Sequence, residues 1–397
     1  MYDVAVIGGG VIGCAIAREL SRFNLRIVLI ERCAEVGFGT TKTNSGIIHP
    51  GHHSPANTLK GQLVVRGNTL YDTLREELNF GFRRIGEVVV ARSREELPVL
   101  DRLLAQGEEK GVPGLEIWDR KKLRREEPNL SHKLLGGLYA PSAGVINPYE
   151  FAFALVESAI RNGVELLEDC PVRGIERLPR GGFTLVLPEA SLDARFVINA
   201  AGVRSDEVAR LVGLNDFTIH PRKGEEYMLD KRMRGLVQRL IFPVPGATSK
   251  GTLIIPTYDG TIMVGPTAED TDDKDDLATS AEGADAVFSF VREVCPAINR
   301  RDVITEFAGL RAVSDTNDFI IGATSVKGFI NVAGIQSPGL TASPAIAEYV
   351  RDILADEGLA LVPKRNFRRY VQGPPRFAAM DLDQKRRAIA GNPLFAR

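Results

Sequence analysis

The stretch Tyr2–Glu31, YDVAVIGGGVIGCAIARELSRFNLRIVLIE, decides how the rest of the chain is read. Tyr2–Ile7 is a short apolar run rich in Val, which predicts a buried parallel strand. Val11–Phe23 sets Ile12, Ala15, Ile16 and Leu20 on one side of a helix, and Arg26–Ile30 is a second buried strand ending in Glu31. Together they make a βαβ unit. Between strand and helix, Gly8-Gly9-Gly10-Val11-Ile12-Gly13 satisfies G-x-G-x-x-G. Gly8 allows the tight turn, Gly10 lets the backbone approach a pyrophosphate, and Gly13 lets the helix pack closely on the strand. The helix N-terminus offers free N–H groups and partial positive charge to the phosphates. Glu31 lies 18 residues after Gly13, where a carboxylate can accept ribose hydroxyls and repels a 2′-phosphate. The unit predicts a dinucleotide other than NADP. The choice between FAD and NAD rests on the rest of the chain.

The whole chain has 397 residues, 39 of them glycine, with 50 basic and 51 acidic side chains. That length predicts two or three domains, and 44% hydrophobic content is enough for a large core. A net charge of −1 argues against nucleic acid as a partner. The four cysteines, Cys14, Cys33, Cys170 and Cys295, show no C-x-x-C spacing, so no metal site is expected and a reducing compartment fits. The longest apolar stretch, Val4–Ala17, is too short to span a bilayer. A soluble cytoplasmic protein is expected, with at most peripheral contact at the inner membrane face.

Further along, helices are expected over Leu59–Leu78, Glu95–Gly111, Lys121–Glu127, Pro148–Asn162, Thr279–Val294 and Ser343–Leu354. Strands are expected over Phe82–Ala91, Glu165–Ala201 in several pieces, Thr218–Gly265, Asp318–Gly322 and Gly328–Val332, with a turn at Gly144–Asn147. The acidic run Glu269–Asp276 reads as a solvated loop, and the basic tail from Lys364 as solvated too. The fold class is α/β: a discontinuous Rossmann-like dinucleotide domain with an inserted, mostly antiparallel substrate domain. The first domain takes 1–80, 147–215 and 318–356, the second 81–146 and 216–317, and 357–397 is a C-terminal tail.

The loop Gly39–Gly51, GTTKTNSGIIHPG, resembles the D-amino-acid-oxidase-like FAD superfamily, nearest to FAD-dependent glycerol-3-phosphate dehydrogenases and L-2-hydroxyglutarate oxidases. Glu127-Pro128-Asn129, VINAAG at 197–202, PRKGEEY at 221–227, Gly265-Pro266-Thr267, AGLR at 308–311 and AGIQSPGLTASPA at 333–345 agree, in the family's order. The resemblance implies FAD as cofactor. It implies that Gly8, Gly10, Ile12, Gly13, Glu31 and Arg32 hold the ADP half, and that Thr40 and Thr41 donate to the pyrophosphate. Asn44, Ser45 and Gly46 would lie along the flavin. Val172 would pair with adenine, and Ala201 and Gly202 would close over the phosphates. Gly334, Gln336, Ser337, Gly339, Leu340 and Thr341 would meet the flavin's pyrimidine edge, where a helix dipole stabilises negative charge on the reduced ring.

Oxidising an alcohol needs a proton acceptor, and His suits neutral pH. His49 matches the family's I-H-x-G histidine and is expected to act as base or to position the substrate oxygen; a structural role bonded to backbone is the alternative. Arg311 is expected to grip an anionic group with its planar fork, the alternative being an ion pair with Asp315. His53, Tyr227 and Tyr258 are candidate substrate contacts, with ordinary packing of an amphipathic ring as the alternative for the two tyrosines, and His52 and His53, adjacent in a loop, also read as solvated.

Two departures bear on the substrate. Membrane-type glycerol-3-phosphate dehydrogenases carry an arginine where this chain has His53, and a lysine where it has Gln336-Ser337-Pro338. Gly224-Glu225-Glu226-Tyr227 looks more like the hydroxyglutarate oxidases, whereas Thr248–Gly251 looks like bacterial glycerol-3-phosphate dehydrogenases. Lys385–Phe395 resembles the stretch that leads into an iron–sulfur domain in longer relatives. That suggests a chain that continues, or a separate iron–sulfur module as an electron-accepting partner. The expected activity is FAD-dependent oxidation of a small anionic alcohol, first glycerol 3-phosphate and second a 2-hydroxy acid, with hydride passing to the flavin. An amine or amino-acid oxidase and a non-catalytic flavin subunit of an electron-transfer complex are the competing readings.

Overall fold

The computed structural model describes residues 1–246, 251–371, 377 and 380–393. Residues 248–250 and 394–395, which carry parts of two of the sequence resemblances, lie outside these.

Among the described residues eight strands form one sheet, and its parallel part explains the location of the site. Across it run Glu165–Leu167, Ile27–Ile30, Tyr2–Ile7, Ser191–Asn199 and Phe329–Ala333, every neighbouring pair parallel. The chain builds outward in one direction from Tyr2–Ile7, then returns to add strands on its other edge. The carboxyl ends of Tyr2–Ile7 and Ser191–Asn199 therefore diverge at a topological switch point, where α/β sheets bind ligands. Both faces are covered, so the strand centres Val4–Ile7, Ile27–Ile30 and Phe196–Ile198 are apolar without alternation. Val4 and Val6 face the helices Val11–Leu20, Pro148–Arg161 and Gly339–Asp356. Ala5 and Ile7 face the opposite layer, which includes the antiparallel strand Phe183–Val186 and the short helix Ser205–Arg210.

A nine-stranded sheet, mostly antiparallel, is built around the long pair Ile219–Leu229 and Val303–Ser314. One face packs on the amphipathic helix Ala281–Val294 through Tyr227, Val264, Val287 and Phe288. Strands from 1–80, 147–215 and 318–356 make the first sheet, and strands from 81–146 and 216–317 make this one. The expected turn at Gly144–Asn147 is instead a strand, Gly144–Ile146, because it pairs with Ile47–Ile48 on one side and Phe82–Arg84 on the other. This small third sheet ties the segments together. The closing helix begins at Gly339, one turn before the expected Ser343. The acidic run is not simply solvated: Asp270 pairs with Arg222, Asp275 with Arg204, and Asp276 with Lys223. The start of the tail is also docked, since Arg369 meets Glu77 and the Lys364 N–H donates to the Arg22 carbonyl. A tail helix, Leu382–Gly391, opens on a capping box of Asp381 and Gln384.

Candidate active site

A cavity of about 1160 Å³ runs between the two large sheets, from the glycine turn to the N-terminus of Gly339–Asp356. That exceeds the range of roughly 300–1,000 Å³ usual for a small-molecule pocket. At its first end only glycine fits. A Cβ on Gly8, whose φ is +107°, would meet the Ala200 carbonyl oxygen at 2.4 Å, and one on Gly13 would meet the Gly8 oxygen at 1.9 Å. Gly10 leaves the cavity side open, its nearest obstruction being Thr41 Oγ1 at 3.4 Å. Glu31 is buried at the rim and accepts from the Gly9 N–H at 2.6 Å and the Cys33 N–H at 2.8 Å. Each oxygen keeps a second lone pair for a ligand hydroxyl. Ile12, Arg32, Val172, Ala201 and Gly202 line the same end. A helix N-terminus whose N-cap Gly10 makes no side-chain cap bond, a turn where Gly8 and Gly13 leave no room for a Cβ and a carboxylate at the ribose position fit an extended dinucleotide.

The loop 39–46 is braced more inwardly than expected. Thr41 Oγ1 accepts from the Val11 N–H at 2.9 Å, and Thr40 Oγ1 donates to the Leu310 carbonyl at 2.7 Å. Thr40 lines the cavity, and its hydroxyl in this arrangement holds the loop to the second sheet. Asn44 donates to the Thr41 carbonyl and accepts from the Gly46 N–H at 2.7 Å, and Ser45 lines the cavity and donates to Glu226. Gly13, Gly46, Gly334 and Thr341 do not line the cavity. Gly334, at φ +66°, has room for no side chain beside Ser314, and a Cβ on Gly46 would meet the Ile146 oxygen at 2.6 Å. Thr341 is fully buried and accepts from the His49 N–H at 2.9 Å. Gln336, Ser337, Gly339 and Leu340 do line it, at the positive end of the closing helix.

The second sheet supplies the floor of the other end, and strand alternation decides which residues reach it. Arg222, Gly224 and Glu226 line the cavity; Lys223, Glu225 and Tyr227 do not. On the paired strand Gly309 lies opposite Gly224, and Arg311 opposite Arg222. Gly224 makes room for the guanidinium, since a Cβ there would sit 2.5 Å from Arg311 Nη2. Arg311 donates from Nη2 to the Thr267 carbonyl at 3.0 Å and forms no salt bridge among the described residues. Asp315, its expected alternative partner, instead accepts from the Thr218 N–H and faces His220 at 2.8 Å. Burial pulls Arg311 below its ordinary pKa, the Glu226 carboxylate opposes that shift, and the guanidinium stays charged.

Glu226 is 2% exposed, and burial pushes its carboxyl up to about 7, with the Ser45 hydroxyl and Arg311 pulling the other way. Tyr227 points to the opposite face. It is 1% exposed, donates to Glu225 Oε2 at 2.7 Å, and packs edge-on to Phe288. Tyr258 also lies off the cavity, under the Arg83 guanidinium. Neither tyrosine is the pocket hydroxyl expected from sequence.

His49 lines the cavity at 8% exposure. Its backbone is anchored twice, by Thr341 and by the Asn68 amide, which donates to the His49 carbonyl at 2.8 Å. Ser337 Oγ lies 3.4 Å from Nε2, and Phe242 and His53 flank the ring. His52 and His53 are not solvated, because Lys110 and Gln106 hold the carbonyls of Gly51, His52 and Ser54. Both histidines turn Nε2 toward Glu87 Oε1, at 3.2 and 3.0 Å, and only His53 reaches the cavity. Sequence reading missed Glu226, Glu87 and Arg222. A carboxylate heading the apolar run Glu87–Ala91 and a second one in Glu225-Glu226 were the available signals.

Residues 3–353 match the family described as FAD dependent oxidoreductase, and the chain belongs to it. Its cofactor is FAD. Over its full length the chain is 42% identical to a glycerol 3-phosphate dehydrogenase of Caloramator mitchellensis, covering 83% of that protein. A mitochondrial L-2-hydroxyglutarate dehydrogenase of Arabidopsis thaliana is 27% identical, with 88% of this chain and 82% of that one aligned. Among solved structures, the FAD-bound, dithionite-reduced L-α-glycerophosphate oxidase of Mycoplasma pneumoniae superposes with a TM-score of 0.90 at 28% identity, over 94% of this chain and 99% of that one. Among the described residues no helix is long and apolar enough to cross a membrane.

Proposed function

We propose that this protein oxidises the secondary alcohol of glycerol 3-phosphate to the ketone. The observation that carries the reading is Arg311: a half-buried guanidinium on the cavity floor with no carboxylate salt-bridged to it among the described residues, in a chain 42% identical to a glycerol 3-phosphate dehydrogenase. Such a cation calls for an anionic ligand. Bound FAD supplies the two-electron acceptor. We assign its ADP half to Gly8, Gly10, Ile12, Glu31, Arg32, Val172, Ala201 and Gly202, and its ring end to Ser45 and the segment Gln336–Leu340. Arg311 holds the substrate anion. His49, fixed by its two backbone anchors, accepts the hydroxyl proton, and Ser337 steadies the imidazole edge. The 27% identical hydroxyglutarate dehydrogenase supports a 2-hydroxy acid as second reading.

The protein is assigned to the cytoplasm with at most peripheral membrane contact, and it passes its electrons to an accepting partner or small acceptor. Dye-coupled turnover of the purified holoprotein with glycerol 3-phosphate, L-2-hydroxyglutarate and a panel of amino acids tests the reading. Glycerol 3-phosphate is expected to give the highest kcat/KM. Turnover only with the hydroxy acid or with amino acids, or with none of the three, overturns it.

A further inference from the structure

Glu226 has one carboxylate oxygen that the protein does not use. Oε1 accepts from the Ser45 hydroxyl, whereas Oε2 is buried without a hydrogen-bond partner among the described residues. The residue lines the cavity and is 2% exposed, so bulk water does not replace the missing donor. An unsatisfied buried acceptor costs roughly 1–3 kcal/mol. Native proteins leave few such groups, and those they leave mark a ligand or a function. The strand register fixes where this one points. Glu226 is two residues from Gly224 on the face that carries Arg311, and it stands between the Ser45 loop and that guanidinium. The floor thus offers a cation for an anionic group and, beside it, an acceptor with no internal donor.

Building on the activity proposed above, we infer that Glu226 Oε2 accepts a hydrogen bond from a second hydroxyl of the substrate, next to the one oxidised. The preferred class is then an anion bearing two neighbouring hydroxyls, and Glu226 is a specificity-determining residue. Glycerol 3-phosphate has this pattern. 2-Hydroxypropyl phosphate, which keeps the phosphate and the oxidisable alcohol, lacks the second hydroxyl.

The test compares kcat/KM for these two compounds in the wild-type holoprotein, Glu226→Gln and Glu226→Ala, with FAD content measured in each. The wild type is expected to favour glycerol 3-phosphate on the order of 10⁴-fold, as sites built to bond a hydroxyl do. Glu226→Ala brings the ratio to within about tenfold, through loss of glycerol 3-phosphate activity rather than of the analogue's. Glu226→Gln, nearly the same shape and still an acceptor, retains an intermediate ratio and covers the case in which the alanine variant does not hold FAD. A wild-type ratio near one, or a ratio unchanged in both variants at full FAD content, overturns the role of Glu226 and leaves the substrate assignment standing. A wild type that glycerol 3-phosphate does not reduce overturns the assignment and this inference with it.

Discussion

At the scale of single residues, the site depends on groups held from behind. His49 is positioned through its backbone, by Thr341 and Asn68, so the imidazole can be removed without dismantling its support. His49→Ala is expected to keep FAD and lower kcat roughly 10²–10⁴-fold, the usual contribution of a general base; stopped-flow reduction measures it. Glu226 makes a different prediction. Its carboxyl sits at about 7 in the fold against an ordinary 4.5, because burial disfavours the charge. The folded chain therefore keeps a proton that the unfolded chain releases, and stability falls as pH rises from 4.5 through about 7. At one unit per 1.36 kcal/mol the loss is on the order of 3 kcal/mol. Thermal melts of flavin-free protein between about pH 5 and about pH 8 should show this slope, and Glu226→Gln should flatten it. His49 and Arg311 were legible in sequence because they fall in stretches that resemble the family, the I-H-x-G loop and AGLR at 308–311. Glu226 and Tyr227 were not, because adjacent strand residues face opposite ways and only the register says which of the two meets the cavity.

At the scale of elements, paired glycines on two long strands make the floor possible. Gly224 gives space to Arg311, and Gly309 lets the loop 39–46 lie flat against the sheet. A Cβ on Gly309 would sit 2.3 Å from the Thr43 carbonyl oxygen. Gly309→Ala is therefore expected to push the loop away, weaken FAD retention at least tenfold and lower stability by about 1–3 kcal/mol; equilibrium dialysis of the flavin and thermal melts measure both. The closing helix shows why its start was misjudged. Pro344 inside Gly339–Asp356 has no N–H for the Leu340 carbonyl, which reads from sequence as a boundary. In the fold Ser343 Oγ donates to that carbonyl at 2.9 Å and the Tyr71 hydroxyl at 2.5 Å, so the helix runs through and its N-terminus reaches the cavity. A tyrosine 269 positions away could not be anticipated from local pattern.

For the whole molecule, the first thirty residues announce a dinucleotide site because three glycines, a helix start and an acid are all local. The path of the chain is not local. Ser191–Asn199 and Phe329–Ala333 return to one edge of Tyr2–Ile7 while Ile27–Ile30 holds the other, and that divergence opens the cavity. Order of motifs along the sequence suggested the return; hydrophobic pattern alone could not place the strands. The same assembly brings Glu226 and Arg311, from a separate sheet, to the far end of the trough. The trough carries FAD, and we propose that its far end takes glycerol 3-phosphate. Anaerobic titration of the purified holoprotein with glycerol 3-phosphate tests this most directly. The visible flavin band is expected to bleach at about one equivalent per flavin when the equilibrium is pulled by removal of the ketone. A purified protein without flavin, or a flavin band unchanged by excess glycerol 3-phosphate, would contradict it.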